Sequence, residues 1–312
     1  MESHAVTPPT SKRRALVTGG AGFIGSHVSE ALLTDGWDVV VLDNLSSGSV
    51  DNVGHLLHRN DFRLVIESVL SRATVDQLAT KCDVIFHLAA QIDVRHSIAD
   101  PAFDAHVNLA GTAVVLQAAR QASARVVLAS TAAIYGDPET VPLRESSAAA
   151  PLSPYGAGKF AAEIYMQTFH RLYGLSTLSL RMANVYGPRQ DPRSKAGVIA
   201  IFCAAAAAGQ TVTIFGDGRQ TRDYVYVGDV AAAFVAAGRS EVTGALNVST
   251  GLETSLLEVA AYLRLRTRCA PARPGEIARS CLDPSAAGRA LGWVATTPLA
   301  VGLRHTLRPA AA

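Results

Sequence analysis

The sequence predicts an α/β fold: a parallel sheet with helices on both faces, followed by a smaller α/β lobe. Three observations lead to it. Short apolar runs alternate six times with segments of helical periodicity up to residue 180. The first apolar run ends directly in a glycine cluster that opens a helix. After Arg181 the alternation breaks into segments rich in Pro, Gly and charge.

The elements follow in order. Ala15-Leu16-Val17-Thr18 reads as a buried strand. Ile24, Val28, Ala31 and Leu32 then recur at helical spacing. Val39–Leu42, closed by Asp43, is a second strand. Phe62–Ile66, Val84–Leu88, Val126–Ala129 and Leu175–Leu180 continue the series, with helices over 105–119 and 158–172 among those between. Strands joined by helices predict a doubly wound, Rossmann-type parallel sheet. Beyond it lie an Ala-rich helix and a pair of strands, Val212–Phe215 and Tyr224–Val227. Asp229 caps the next helix. A helix near Ser255–Arg264 starts with Ser255 and Glu258 at capping-box spacing. A terminal helix lies near Leu299–Leu307.

Composition narrows the function classes. Hydrophobic residues make up 49% of the 312 and charged residues 17%, which excludes a disordered chain. Lys and Arg number 28 against 26 acids, with no basic run, so neither nucleic acid nor a membrane surface is expected as partner. The four cysteines, at 82, 203, 269 and 281, lack C-x-x-C spacing and any companion His cluster. They read as reduced thiols, and no metal site is expected. Residues 1–11 lack the apolar stretch of a signal peptide and read as a flexible leader. The longest apolar run, Val198–Ala208, is shorter than the ~20 residues a bilayer needs. A soluble, cytoplasmic chain is expected.

Three motifs carry chemistry. Gly19, Gly22 and Gly25 form G-x-x-G-x-x-G between the first strand and its helix. The first glycine makes the turn, the second lets backbone approach a pyrophosphate, and the third lets helix pack on sheet. Asp43 ends the next strand, where an acid accepts bonds from a ribose 2′-hydroxyl and repels a 2′-phosphate, so NAD is expected over NADP. Tyr155 and Lys159 form Y-x-x-x-K on one helix face. A phenol needs a pKa well below 10 to act as a base, and a neighbouring ammonium with an oxidised nicotinamide favours the phenolate. Thr131 ends the fifth strand, where a hydroxyl can relay a substrate proton to Tyr155. Only four lysines occur, which makes Lys159 stand out.

With Asp43-Asn44, His87-Leu88-Ala89-Ala90, Thr131…Tyr135-Gly136, Asn184-Val185-Tyr186-Gly187-Pro188-Arg189 and Thr221-Arg222-Asp223-Tyr224-Val225, these motifs resemble the extended short-chain dehydrogenase/reductases. They are most similar to the UDP-galactose 4-epimerase group, over about residues 13–305. The resemblance implies a homodimer acting on a UDP-sugar. It implies an NAD-binding domain over 12–183, with 222–250 returning to it, and a nucleotide-sugar lobe over 184–221 and 251–312. It assigns Thr131, Tyr155 and Lys159 to catalysis. Gly19, Gly22, Phe23, Ile24, Gly25, Asp43, Asn44, Leu88, Ala89, Ala90, Ser130, Tyr155 and Lys159 are assigned to NAD. Asn108 matches an Asn that buttresses the active-site helix beside the cofactor. Asn184, Arg222 and Arg273 align with groups that hold the diphosphate, guanidinium forks being suited to phosphate.

Dehydratases and decarboxylases of this kind carry acids after the Thr. Here Ala132 and Ala133 stand there, which implies reversible oxidation of one carbinol and hence a 4-epimerase. Ser280 aligns with the residue that gates N-acetyl groups, with Cys281 and Arg279 as the alternative registers. A small residue implies UDP-GlcNAc/UDP-GalNAc alongside UDP-glucose/UDP-galactose. Asp191 occupies the place of an Arg that meets the carboxylate in some glucuronate enzymes, which argues against sugar acids. The rivals are a UDP-glucuronate 4-epimerase and a non-catalytic NAD-sensing regulator. Glu67-Ser68-Val69 departs from the family, in which an Asp contacts adenine; here Ser68 stands in its place.

Overall fold

A computed structural model describes residues 12–194, 197–272 and 277–307; the leader 1–11 and Arg273 lie outside the described residues. The first part of the chain runs β1 (Arg14–Thr18), α1 (Phe23–Thr34), β2 (Asp38–Asp43), β3 (Phe62–Ile66), α2 (Arg72–Ala79), β4 (Val84–His87), α3 (Val94–Ala99), α4 (Pro101–Ala105), α5 (Gly111–Ala122), β5 (Arg125–Thr131), α6 (Pro154–Tyr173) and β6 (Thr177–Met182). Then come β7 (Asn184–Tyr186), α7 (Val198–Ala207), β8 (Val212–Phe215), β9 (Thr221–Arg222), β10 (Tyr224–Tyr226), α8 (Val227–Arg239) and β11 (Gly244–Val248). The chain continues through β12 (Thr254–Ser255), α9 (Leu256–Tyr262), β13 (Thr267–Ala270), β14 (Arg279–Ser280), α10 (Ser285–Leu291) and α11 (Leu299–Leu307).

Seven strands form an all-parallel sheet in the order β11-β6-β5-β4-β1-β2-β3. Both faces are buried, so the strands read as continuous apolar runs. Successive β4 residues serve opposite faces. Phe86 meets Trp37 and Phe234 edge-on at 6.0 and 6.3 Å, beneath α1 and α8. Ile85 packs with Leu116 and Met166 beneath α5 and α6. The strand order reverses between β1 and β4, and the crevice beyond their carboxyl ends is where such sheets place ligands.

Four sequence expectations are corrected. Val212–Phe215 and Tyr224–Tyr226 do not pair with each other. β8 pairs with β13, β10 with β7, and β9 lies between β12 and β14, so the chain between β8 and β10 carries a third strand instead of a simple hairpin turn. Asp229 is no cap: α8 begins at Val227, and the Asp229 carboxylate accepts from Thr296 Oγ1 at 3.0 Å and the Thr297 amide at 2.9 Å. The helix expected over 105–119 is α4, a π turn over His106–Ala110, and α5. The helix expected from 158 starts at Pro154, capped by Ser153 Oγ accepting from Gly156 N at 3.1 Å. The Ser255–Glu258 capping box is present.

Candidate active site

The glycine loop is a backbone cradle at the switch point. Gly19 has φ +71°, and a Cβ there would lie 2.6 Å from the Ala89 nitrogen. A Cβ on Gly25 would lie 2.1 Å from the Gly19 carbonyl, and Gly22 stands at the N-cap of α1. Leu88, Ala89 and Ala90 follow β4 and are half-buried against this loop. Such an opening, with the first amides of α1 turned to it, fits the pyrophosphate of NAD. Asp43 is buried, and its oxygens accept from the Ala21 amide at 2.9 Å and the Leu45 amide at 2.8 Å. The carboxylate therefore also staples the glycine loop to β2. Asn44 is exposed, with its side-chain Oδ1 accepting from the Ser46 amide at 3.1 Å.

A cavity of about 440 Å³ opens beside the cradle, between the carboxyl ends of the strands and the second lobe. Phe23, Ile24, Ser130, Thr131 and Tyr155 line its sheet side. Thr131 Oγ1 accepts from the Ala133 amide at 3.1 Å, and its hydroxyl favours the charged form of the Tyr155 phenol. One helical turn on, Lys159 is buried and donates to the Ala129 carbonyl at 3.1 Å. Burial pushes Tyr155 up to about 12, outweighing the Thr131 hydroxyl, which lowers it. The depression expected from the sequence is that of the phenol beside both Lys159 and an oxidised nicotinamide. Burial likewise pushes Lys159 down to about 8, against the carboxylates of Asp104 and Glu163.

Two glycines of Tyr155-Gly156-Ala157-Gly158-Lys159 set where this helix sits. Each costs about 1 kcal/mol against Ala in a helix interior. A Cβ on Gly156 would meet the Ala133 carbonyl at 2.7 Å, so only glycine lets α6 press this close to the Thr131 turn. Asn108 lies on the π turn, buried away from the cavity. Its amide oxygen accepts from Gln91 N at 2.9 Å, and its amide nitrogen donates to Gln91 O and to Asp104 Oδ1, both at 3.0 Å. It clasps the loop after β4 instead of touching the cavity. Ser130 donates its hydroxyl to Glu163, which accepts a fork from Arg181. Gln91, Glu163 and Arg181 escaped the sequence reading. Glu163 had a signal, because Tyr155, Lys159 and Glu163 stand at i, i+4 and i+8 on one helix face.

The opposite wall comes from the lobe. Asn184, Arg222 and Ser280 line it together. Arg222 Nη1 donates to the Thr221 carbonyl at 2.8 Å. Ser280 pairs in register with Arg222 and lines the cavity with it. Arg279 turns away to Glu253, and Cys281 is buried against Asp223. Asp223 itself accepts from the Thr250 and Gly251 amides, both at 2.9 Å, and holds that turn. Asp191 does not line the cavity. It is exposed and paired with Arg193 at 3.0 Å, so the charge argument against sugar acids fails on geometry. Ser68 accepts from the Leu70 amide at 3.2 Å.

A parallel sheet with a glycine cradle at its switch point and a Thr–Tyr–Lys wall beside it defines a dinucleotide-dependent enzyme. The family model of the NAD dependent epimerase/dehydratase family matches residues 15–249, and the chain belongs to that family. It is an NAD-dependent epimerase. It is 45% identical over 304 residues to a UDP-glucose 4-epimerase of Mycolicibacterium smegmatis, covering 94% of this chain and 97% of that one. Among solved structures it resembles the UDP-glucose 4-epimerase of Thermus thermophilus in complex with NAD. The identity is 41% and the TM-score 0.86, over 94% of this chain and 97% of that one. It also resembles a UDP-N-acetylglucosamine 4-epimerase from Methanobrevibacter ruminantium in complex with UDP-N-acetylmuramic acid. There the identity is 33% and the TM-score 0.89, over 96% of this chain and 98% of that one. No helix among the described residues is long and apolar enough to cross a membrane.

Proposed function

We propose that the chain interconverts UDP-glucose with UDP-galactose, and UDP-GlcNAc with UDP-GalNAc, by transient oxidation at C4. The observation that carries this reading is that Thr131 and Tyr155 stand together in the cavity wall, with Ala132 and Ala133 beside them instead of acids. Tyr155 removes the proton of the 4-hydroxyl, relayed by Thr131, and returns it to the C4 oxygen once the sugar has turned its other face. Lys159 supplies positive charge behind the phenol. Asn184 and Arg222 hold the diphosphate, joined by Arg273 from outside the described residues, while the sugar swings beyond it. NAD, when bound, takes and returns the hydride. In this reading residues 12–183 with 222–250 bind NAD, and 184–221 with 251–312 form the sugar-nucleotide lobe.

The test is detection of NAD in purified protein, then NMR time courses with UDP-glucose, UDP-GlcNAc and UDP-glucuronate in parallel. Inversion at C4 of the first two is expected. No inversion of any of the three overturns the reading. A second reading, a UDP-glucuronate 4-epimerase, is favoured by Arg95. It lines the cavity and makes no ion pair among the described residues. Turnover of UDP-glucuronate alone would establish it.

The chain is further proposed to work as a homodimer in the cytoplasm. The outer face of α6 exposes Ile164, Tyr165, Leu172 and Tyr173, an apolar surface that a second copy would cover. Sedimentation showing a monomer at micromolar concentration would remove that proposal.

A further inference from the structure

Two carboxylates are buried behind the catalytic wall, Glu163 and Asp104, each 1% exposed. Two cations are buried with them, Arg181 and Lys159. Glu163 is matched directly: Arg181 Nη2 lies 2.7 Å from its Oε2, and Arg181 Nε reaches both of its oxygens at 3.1 Å. That leaves Asp104 and Lys159. Asp104 makes no direct ion pair among the described residues. Its Oδ1 accepts from Gln91 Nε2 at 2.8 Å and Asn108 Nδ2 at 3.0 Å, while its Oδ2 has no hydrogen-bond partner. A buried carboxylate with one oxygen bare is costly unless a nearby positive charge offsets it.

The packing of α4 on α6 shows where that charge comes from. Gly158 immediately precedes Lys159, and a Cβ there would lie 3.1 Å from Asp104 Oδ2. The glycine therefore lets the carboxylate sit against the helix surface beside the lysine. We propose that Asp104 is a positioning residue for the reaction: its carboxylate is the counter-charge of Lys159 and sets the pH range in which the Tyr155–Lys159 pair works. The inference rests on the reading of that pair given above.

The other groups around Lys159 do not take this part. Tyr155 and Glu163 flank it on its own helix, and Glu163 is held by Arg181 from β6. From β5 it meets only the Ala129 carbonyl. His87, from β4, is pushed down to about 3 by burial and by the Lys159 charge, so it stays neutral. Of the two carboxylates that favour the charged lysine, Asp104 acts more strongly. The same negative charge disfavours the Tyr155 phenolate. Removing it moves both titrations the same way, to lower pH, and the two groups titrate as a coupled pair.

Asp104→Asn keeps an acceptor for Gln91 and Asn108 and removes the charge. Both limbs of its pH–kcat profile should move about one pH unit to the acid side, with NAD content unchanged. The phenolate absorbance of Tyr155, isolated by subtracting Tyr155→Phe protein, should titrate earlier by a similar amount. Asp104→Glu should return the profile to its wild-type position. If the Asn variant fails to fold, Asp104→Ser is read in the same way. A wild-type profile and phenolate titration in the neutral variants, with only a lower Tm, overturns the proposal, as does a move to the alkaline side. Should Tyr155→Phe retain turnover, the reading of the pair falls, while the absorbance titration still reports whether Asp104 acts on Tyr155.

Discussion

The two walls of the cavity are built differently. On the sheet side, Thr131, Tyr155 and Lys159 hang from a seven-stranded parallel sheet and one long helix, and each polar head has a protein partner. On the lobe side, Asn184, Arg222 and Ser280 sit on strands of two or three residues and are partly exposed. A wall set by sheet register holds a proton-transfer geometry in which small displacements are costly. A wall of short strands can vary its side chains without disturbing a core. The first should govern kcat and the second KM and substrate choice, and substitutions on either side can break that division.

The largest effect belongs to Tyr155→Phe. The ring still fills its place, but the ionisable oxygen is gone. Turnover should fall at least ~100-fold while NAD stays bound and KM changes little. Single-turnover assays with an NAD determination check this. A fall in NAD content equal to the fall in rate would mean that the sheet wall acts through binding after all.

The same contrast explains what could be read from the sequence. The sheet side was legible because its signals are local: an apolar run, a glycine turn, a helix with Tyr and Lys one turn apart. Four of its six pairings join strands that follow one another in the chain, so most of the order follows from chain direction. The lobe was not legible, because β8 pairs with β13 and β10 with β7, across long stretches of chain that no periodicity announces. Asp43 is expected from the sequence to meet a ribose, and the structure shows it holding the glycine loop. Its bonds to Ala21 and Leu45 depend on side-chain direction, which spacing does not reveal. Asp104 was missed because its neighbours come from the π turn, the loop after β4 and a helix more than fifty residues on. The glycine before Lys159 was the one local hint.

On the lobe wall, Ser280→Tyr should have the next largest effect, confined to one substrate class. The bulk would occupy the space that an N-acetyl group needs, so UDP-GlcNAc turnover should be lost and UDP-glucose turnover kept within a few-fold. Equal loss of both would show that Ser280 supports β14 instead of gating the sugar. Wild-type protein that rejects UDP-GlcNAc while inverting UDP-glucose would remove the gate altogether.

Arg222→Leu should raise KM for the UDP-sugar about tenfold, the scale of one charge-assisted phosphate contact, with kcat within about threefold. UDP binding by calorimetry should weaken in step. A kcat loss on the scale of Tyr155→Phe would contradict the division between the walls, because it would place the lobe side in the chemical step.

The smallest effect is on stability, and it marks the sheet side as the buried one. Thr112 donates to the Asn108 carbonyl at 2.7 Å, so its oxygen accepts from His87 Nε2 at 3.1 Å. His87 Nδ1, 2.8 Å from Thr18 Oγ1, is then the acceptor of the Thr18 proton. Thr18 in turn accepts from the Ala89 amide at 3.3 Å, which ties this chain of bonds to the cradle. The arrangement needs a neutral ring, and burial with the Lys159 charge pushes His87 from 6.5 down to about 3. An unfolded chain protonates this histidine below pH 6.5, while the folded protein does so only near pH 3. Protons therefore bind preferentially to the unfolded chain in that window, and stability is lost as pH falls through it. The loss attributable to His87 is up to about 1.4 kcal/mol per pH unit. His87→Gln cannot titrate, so its Tm, lower at pH 7, should decline less steeply towards pH 4 than that of wild type. Parallel slopes for the two proteins would show that the acid sensitivity arises elsewhere, and that the buried wall is no more proton-sensitive than the exposed one.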